Sequence, residues 1–151
     1  MSTPIDVALT QDTTDGTFDL SIVAGDFVST NGFDTALPMS LWCERMADES
    51  EVLPIDLRRG WWGNLLDADG FEIGSKLWLL DQRRRNQSTL NAAVDYVRDG
   101  LQWLVDDGHL VSIDVSAQFI SEGISITITL YRSNGATDRR SFVLWENTSG
   151  I

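Results

Sequence analysis

Residues 88–119, STLNAAVDYVRDGLQWLVDDGHLVSIDVSAQF, change their apolar period once, and that change decides the fold class. Leu90, Val94, Val97, Leu101 and Leu104 recur at steps of four and three, the spacing of one helix face, so a helix is predicted over 88–108. Gly108 supplies a left-handed stop. From Val111 the period falls to two. Val111, Ile113, Val115, Ala117 and Phe119 alternate with Ser112, Asp114, Ser116 and Gln118, which predicts a half-buried strand. Gly100, inside the helix, costs ~1 kcal/mol against Ala. Close approach of another backbone would explain it; without such a contact it is a weak spot.

Downstream the strand pattern continues. Ser121-Glu122-Gly123 turns the chain, and ISITITLY places Ile124, Ile126, Ile128 and Leu130 on one face. A second turn at Asn134-Gly135 leads to RSFVLW (140–145), giving an antiparallel meander with one buried face. Upstream, TFDLSIV (17–23) alternates, with Phe18, Leu20 and Ile22 on one side. Gly25-Asp26 turns it into FVST (27–30), an N-terminal β-hairpin. DTALPMSLWCERM (34–46) reads as a helix if Asp34 or Thr35 caps it, because Pro38 then falls in the first turn. SKLWLLDQRRR (75–85) reads as a short helix with a Ser cap and a positive last turn. Residues 47–74 have no sustained period, a length of irregular chain usually kept for function or assembly. Strands at both ends and about three helices between them make the class α+β, in a single compact domain over 1–151.

Composition narrows the function. Eleven basic and 23 acidic residues give a net charge of −12. An acidic surface repels phosphate backbones and argues against nucleic acid as a partner. No apolar stretch approaches the ~18 residues of a membrane span, and MSTPIDVALTQDTTDG lacks the basic-then-apolar order of a secretory signal. Cys43, alone, supports neither a disulfide framework nor a cysteine zinc site, and fits a reducing compartment. The charge is uneven: residues 56–85 hold six basic against five acidic side chains. That near-neutral island suits contact with acidic neighbours, copies of the same chain among them; the plainer reading is solvated helix ends and loops.

No catalytic constellation emerges. His109, the sole histidine, has no nucleophile and orienting acid around it in sequence. DADG (67–70) and DTTDG (12–16) resemble calcium loops faintly, but a loop starting at Asp67 would need its bidentate Glu where Trp78 stands. GFEIGSK lacks the spacing of a phosphate loop. Asp106-Asp107, at a helix C-terminus, reads as solvated before it reads as glycosidase chemistry. The expectation is a non-enzyme with no cofactor and no metal.

RRGWWGN (58–64) gathers residue types that dominate protein interfaces. Neighbours in an extended segment point to opposite sides, so one of Trp61 and Trp62 is expected in the core. The other, with Arg58 or Arg59, is expected to face a partner. The flanking glycines are expected to make room for a sharp turn beside two indoles. DLRRGWWGN, IGSKLWLL and AVDYVRDGLQWLVDDGHLVSIDV in that order resemble the gene product 46 family of Mu-like phages. The likeness extends over nearly the whole chain. Asn64 stands where that family usually has Asp, and Gly100 where it usually has Ala. The resemblance implies a structural component of the baseplate wedge of a contractile tail, located in the virion. Its implied partners are other wedge subunits and tail tube or sheath proteins, with several copies per particle. The family in turn resembles the T-even phage wedge protein 25, whose relatives carry Glu-Pro-Arg after a Trp on the late helix. Here Trp103-Leu104-Val105-Asp106 occupies that place, so only the location carries over. Trp103, Arg83 and Arg84 therefore join Arg58, Arg59, Trp61 and Trp62 as candidate partner-binding residues. A tail-assembly chaperone or a tail-associated hydrolase would be the alternatives.

Overall fold

The computed structural model describes residues 6–7, 9–12, 17–20, 22–24, 26–27, 29–30, 33–52, 57–81 and 83–145. The long helix, α2, spans Gln87–Asp106. The Asn86 side chain caps it by accepting the Thr89 N–H at 3.0 Å, and Gly108, at φ +79°, ends it as expected. Its buried stripe follows the expected line at Val97, Leu101 and Leu104 and is turned by one position only in the first two turns, at Thr89 and Ala93. Ala93, Val97, Leu101 and Leu104 are buried, whereas Leu90 and Val94 are half-buried at the margin.

That stripe meets a three-stranded antiparallel sheet in which β8 (Gly123–Tyr131) lies between β7 (Ser112–Ile120) and β9 (Thr137–Trp145). The register sets Ile113, Val115, Ala117 and Phe119 opposite Leu130, Ile128, Ile126 and Ile124. The four β8 residues are buried, each contributing about 1.5–3 kcal/mol. On the other side Phe142 and Leu144 face Ile126 and Ile124, but Arg140 and Asp138 face Ile128 and Leu130. The apolar face therefore stops halfway along β9, where Asp138 pairs with Arg140 at 3.1 Å and Arg132 at 3.3 Å. The turn between these strands has Gly135 at φ +82° and the Asn134 side chain accepting the Ala136 N–H.

α1 spans Phe33–Trp42 and buries Leu37 and Leu41 against α2. It starts before either expected cap, so Pro38 lies inside the helix and not in its first turn. Gly100 sits where α1 and residues 74–75 cross α2. A Cβ there would lie 3.0 Å from both the Ser40 carbonyl oxygen and Ser75 Cβ, which supplies the close approach that its presence called for.

Among the described residues there are two α-helices, not three. The segment expected as a helix over 75–85 makes one 3-10 turn, Leu77–Leu80. In such a turn residues three apart eclipse one another, which buries Leu77 and Leu80 together. The arginines at 83–85 fall beyond it, so the helix-dipole reading of that run does not hold.

The N-terminal segment is more divided than its sequence suggests. β1 (Asp6–Val7) pairs with β6 (Ser29–Thr30), β2 (Leu9–Gln11) with β3 (Phe18–Leu20), and β4 (Ile22–Val23) with β5 (Asp26–Phe27). The β4–β5 pair is the expected hairpin; Gly25 of its turn and residues 13–16 of the first Asp-rich turn lie outside the described residues. β1 and β2 are too short to show a period. Of the apolar side expected to be buried, only Phe18 packs, and Leu20 and Ile22 are exposed. Phe18 meets the Trp42 ring at 4.8 Å and Phe142 at 6.1 Å, and those two rings lie 5.2 Å apart. Beside them the Gln11 amide donates to the Val143 carbonyl at 3.0 Å and accepts the Val143 N–H at 3.1 Å.

Candidate functional site

The segment after α1 is tied down on both sides by backbone hydrogen bonds. Ser75 N–H donates to Cys43 O and Arg45 N–H to Ser75 O, both at 3.0 Å. On the opposite side Trp61 N–H donates to Glu44 O at 2.7 Å and Ala47 N–H to Arg58 O at 3.0 Å. Residues 43–47 thus form a spine between 58–61 and 75. The aperiodic stretch that follows α1 is ordered by this long-range pairing, which local pattern does not report; residues 53–56 lie outside the described ones.

The two arginines of RRGWWGN are engaged within the chain. Arg58 Nε donates to Ala47 O at 2.6 Å, and its guanidinium lies 3.8 Å from Glu49. Arg59, at φ +50°, forms a two-pronged ion pair with Glu44 and stacks over Trp78 at 4.8 Å. Asp81 lies 4.0 Å from it. Burial pushes the Asp81 carboxyl above the usual carboxylate range, with Arg59 opposing and Glu44 adding to the rise. Lys76 bridges Asp48 and Glu51 at 3.1 and 2.8 Å. Burial lowers its pKa, yet the hydrogen bonds and charges of those two carboxylates prevail and hold it above the ordinary lysine value.

Neither tryptophan is core. Trp61 is 40% and Trp62 68% exposed, which corrects the expectation that one is buried. The alternation argument needs an extended chain, and the backbone instead enters a 3-10 turn over Trp62–Leu65. The two indoles lie side by side, centroids 5.8 Å apart. The Trp61 ring covers Gly63 so closely that a Cβ would stand 2.3 Å from it, as the glycine-flanked turn required.

Beyond this turn the chain forms a closed loop. Asn64 donates through Nδ2 to Ile73 O at 3.0 Å and accepts the Ile73 N–H at 2.9 Å. Inside the loop the Asp67 carboxylate accepts the Phe71 N–H at 2.6 Å. These bonds fix a tip whose apolar side chains point at solvent: Leu65 is 74% and Leu66 73% exposed. Leu57 and Phe71 are exposed as well. Leu65 and Leu66 are not among the residues that the sequence marks as candidates. Their available signal was an apolar pair inside a segment with no period.

The other candidate residues do not join this tip as one cluster. Trp103 is half-buried on α2; its Nε1 donates to Ser40 Oγ at 3.0 Å. It makes edge contacts with Phe71 at 6.1 Å and with exposed His109 at 5.9 Å. Phe71 thus links Trp103 to the loop. Arg83 leans over Tyr96 and donates to its hydroxyl at 3.3 Å. Arg84 is exposed, and its carbonyl accepts the Thr89 hydroxyl. Arg85 stacks on Phe119 at 4.7 Å and caps the Ile120 carbonyl. The positive side chains of the near-neutral island are thus largely spent on internal carbonyls, carboxylates and rings.

A family model described as Phage protein GP46 matches residues 33–137. The chain is 34% identical over 122 residues to the baseplate protein gp46 of Escherichia phage Mu, a match that covers 78% of this chain and 83% of that protein. It is 37% identical over 91 residues to the Mu-like prophage FluMu protein gp46 of Haemophilus influenzae, covering 60% of this chain and 67% of that one.

Proposed function

The chain belongs to the Phage protein GP46 family, and from that membership we propose that it is a structural, non-catalytic component of the tail baseplate of a Mu-like contractile phage or related particle. In its finer form the proposal places it in the baseplate wedge, in several copies, joining larger wedge subunits around the tail tube. Residues 57–71 and Trp103 are its docking surface. The observation that carries this reading is the pinned loop with Trp62, Leu65 and Leu66 turned to solvent. Large apolar side chains presented to water on a pinned backbone are costly for a lone protein and effective in an interface, because the loop that carries them is ordered before binding. Mass spectrometry of purified particles tests the proposal. The chain should be present in a fixed ratio to the other baseplate proteins. Its absence from mature particles would instead identify an assembly chaperone.

A further inference from the structure

We propose that the Trp62–Leu65–Leu66 tip seats in an apolar cleft rimmed by lysine or arginine on a different protein of the particle, and not on a second copy of this chain. The proposal rests on the baseplate reading above. It differs from what the residue types of RRGWWGN suggest, because both guanidinium groups already have partners within the chain, although their side chains stay 42% and 43% exposed. Arg58 is held by Ala47 and Glu49, and Arg59 by Glu44 and Trp78. What remains free to meet a neighbour is apolar and acidic. The loop closed by Asn64 and Ile73 carries Leu65, Leu66, Asp67 and Asp69, whereas Glu72 at its base already lies 3.9 Å from Arg45. Asp69 is exposed and has no ion-pair partner among the described residues. Asp67 spends one carboxylate oxygen on the Phe71 N–H.

Charge then selects the occupant. A second copy would set the same Asp67 and Asp69 against those of the first tip, on a chain whose overall charge is −12, and like charges brought together oppose association. An anionic lipid surface is disfavoured on the same ground. A cleft with cationic rims satisfies both features of the loop: it removes the two leucines and the indole from water and pairs Asp69 at the edge.

The experiment places a photo-crosslinking phenylalanine analogue at Leu65 and, separately, at Leu66 in phage particles that carry the chain. Because both side chains face solvent, these variants are expected to fold, which circular dichroism of the purified chain checks. The expected crosslink after irradiation is to a baseplate protein other than this one, at a peptide mixing apolar residues with lysine or arginine. Asp69→Lys is expected to lower incorporation into particles at least fivefold. A crosslink to another copy of this chain, or no crosslink in particles that contain it, overturns the proposal. Unchanged incorporation of Asp69→Lys overturns the basic rim, and sedimentation of the wild-type chain with phosphatidylcholine vesicles would point to a membrane instead. Particles lacking the chain altogether would sink the baseplate reading itself, a distinguishable failure.

Discussion

Replacing Gly74 by alanine should unfold the chain far more readily than the same change at Gly70. Gly74 has φ +107°, and a Cβ there would stand 2.3 Å from the Cys43 carbonyl oxygen and 2.8 Å from its carbon. That carbonyl cannot retreat freely, because it accepts the Ser75 N–H at 3.0 Å and thereby anchors residue 75 to the spine after α1. Backbone strain contributes about 1–2 kcal/mol, forced overlap about 1–3 kcal/mol, and loss of the Ser75–Cys43 bond about 1 kcal/mol. The sum, about 3–6 kcal/mol, corresponds to a Tm lower by about 10–20 °C in a chain of this size. Gly70 has φ +73° with nothing within 4 Å of its Cβ position, so it isolates the strain alone. Gly70→Ala should cost about 1 kcal/mol, or about 3 °C. Thermal denaturation followed by circular dichroism reads both. If Gly74→Ala loses no more than Gly70→Ala, the packing of residues 74–75 against α1 is looser than the geometry states, and the reasoning is refuted.

Trp62→Ala should change stability by less than about 1 kcal/mol, and Trp61→Ala by about 1–2 kcal/mol, because neither reaches the ~3–5 kcal/mol of a buried tryptophan; a large loss from either in urea titration would place that ring in the core. Asn64→Asp keeps an acceptor for the Ile73 N–H but sets a carboxylate against the Ile73 carbonyl, so it should cost about 1 kcal/mol. Amide exchange at Ile73 should quicken, and an unchanged rate would mean the loop is held elsewhere. Asp81, raised chiefly by burial, holds its proton more tightly in the folded chain than in the unfolded one. Its ionisation therefore erodes stability as pH climbs from about 4 through the folded value. Asp81→Asn should raise Tm at neutral pH and lose that advantage near pH 4, whereas an equal gain at both would assign the effect to something other than charge.

The sheet and α2 were readable because their evidence is local and repeated. Ile124, Ile126, Ile128 and Leu130 report one face four times, and Asn134-Gly135 and Gly108 mark their turns by backbone chemistry alone. The loop closed by Asn64 and Ile73 was not readable to the same depth. RRGWWG announced aromatic and cationic content, yet which side chains reach solvent depends on Asn64 meeting Ile73 and on residues 43–47 running between two distant segments. A Leu-Leu pair such as 65–66 looks the same in sequence whether a core or a partner covers it. The internal partners of Arg59 were hidden for a related reason: Glu44, Asp81 and Trp78 are remote in sequence and adjacent only after folding.

The single amide of Gln11, laid across the outer edge of β9 at Val143, joins positions 132 residues apart. During synthesis the hook is made first and its eye last. Bringing such remote points together costs about 2 kcal/mol more chain entropy than closing a loop of about ten residues. The Gln11–Val143 pair therefore forms only once the meander stands behind α2, whereas Phe18 can meet Trp42 of α1 earlier. The hook then occupies the backbone of the edge strand at Val143, a position that would otherwise invite another chain. A nascent chain halted before Val143 would lack both the seat and the seal.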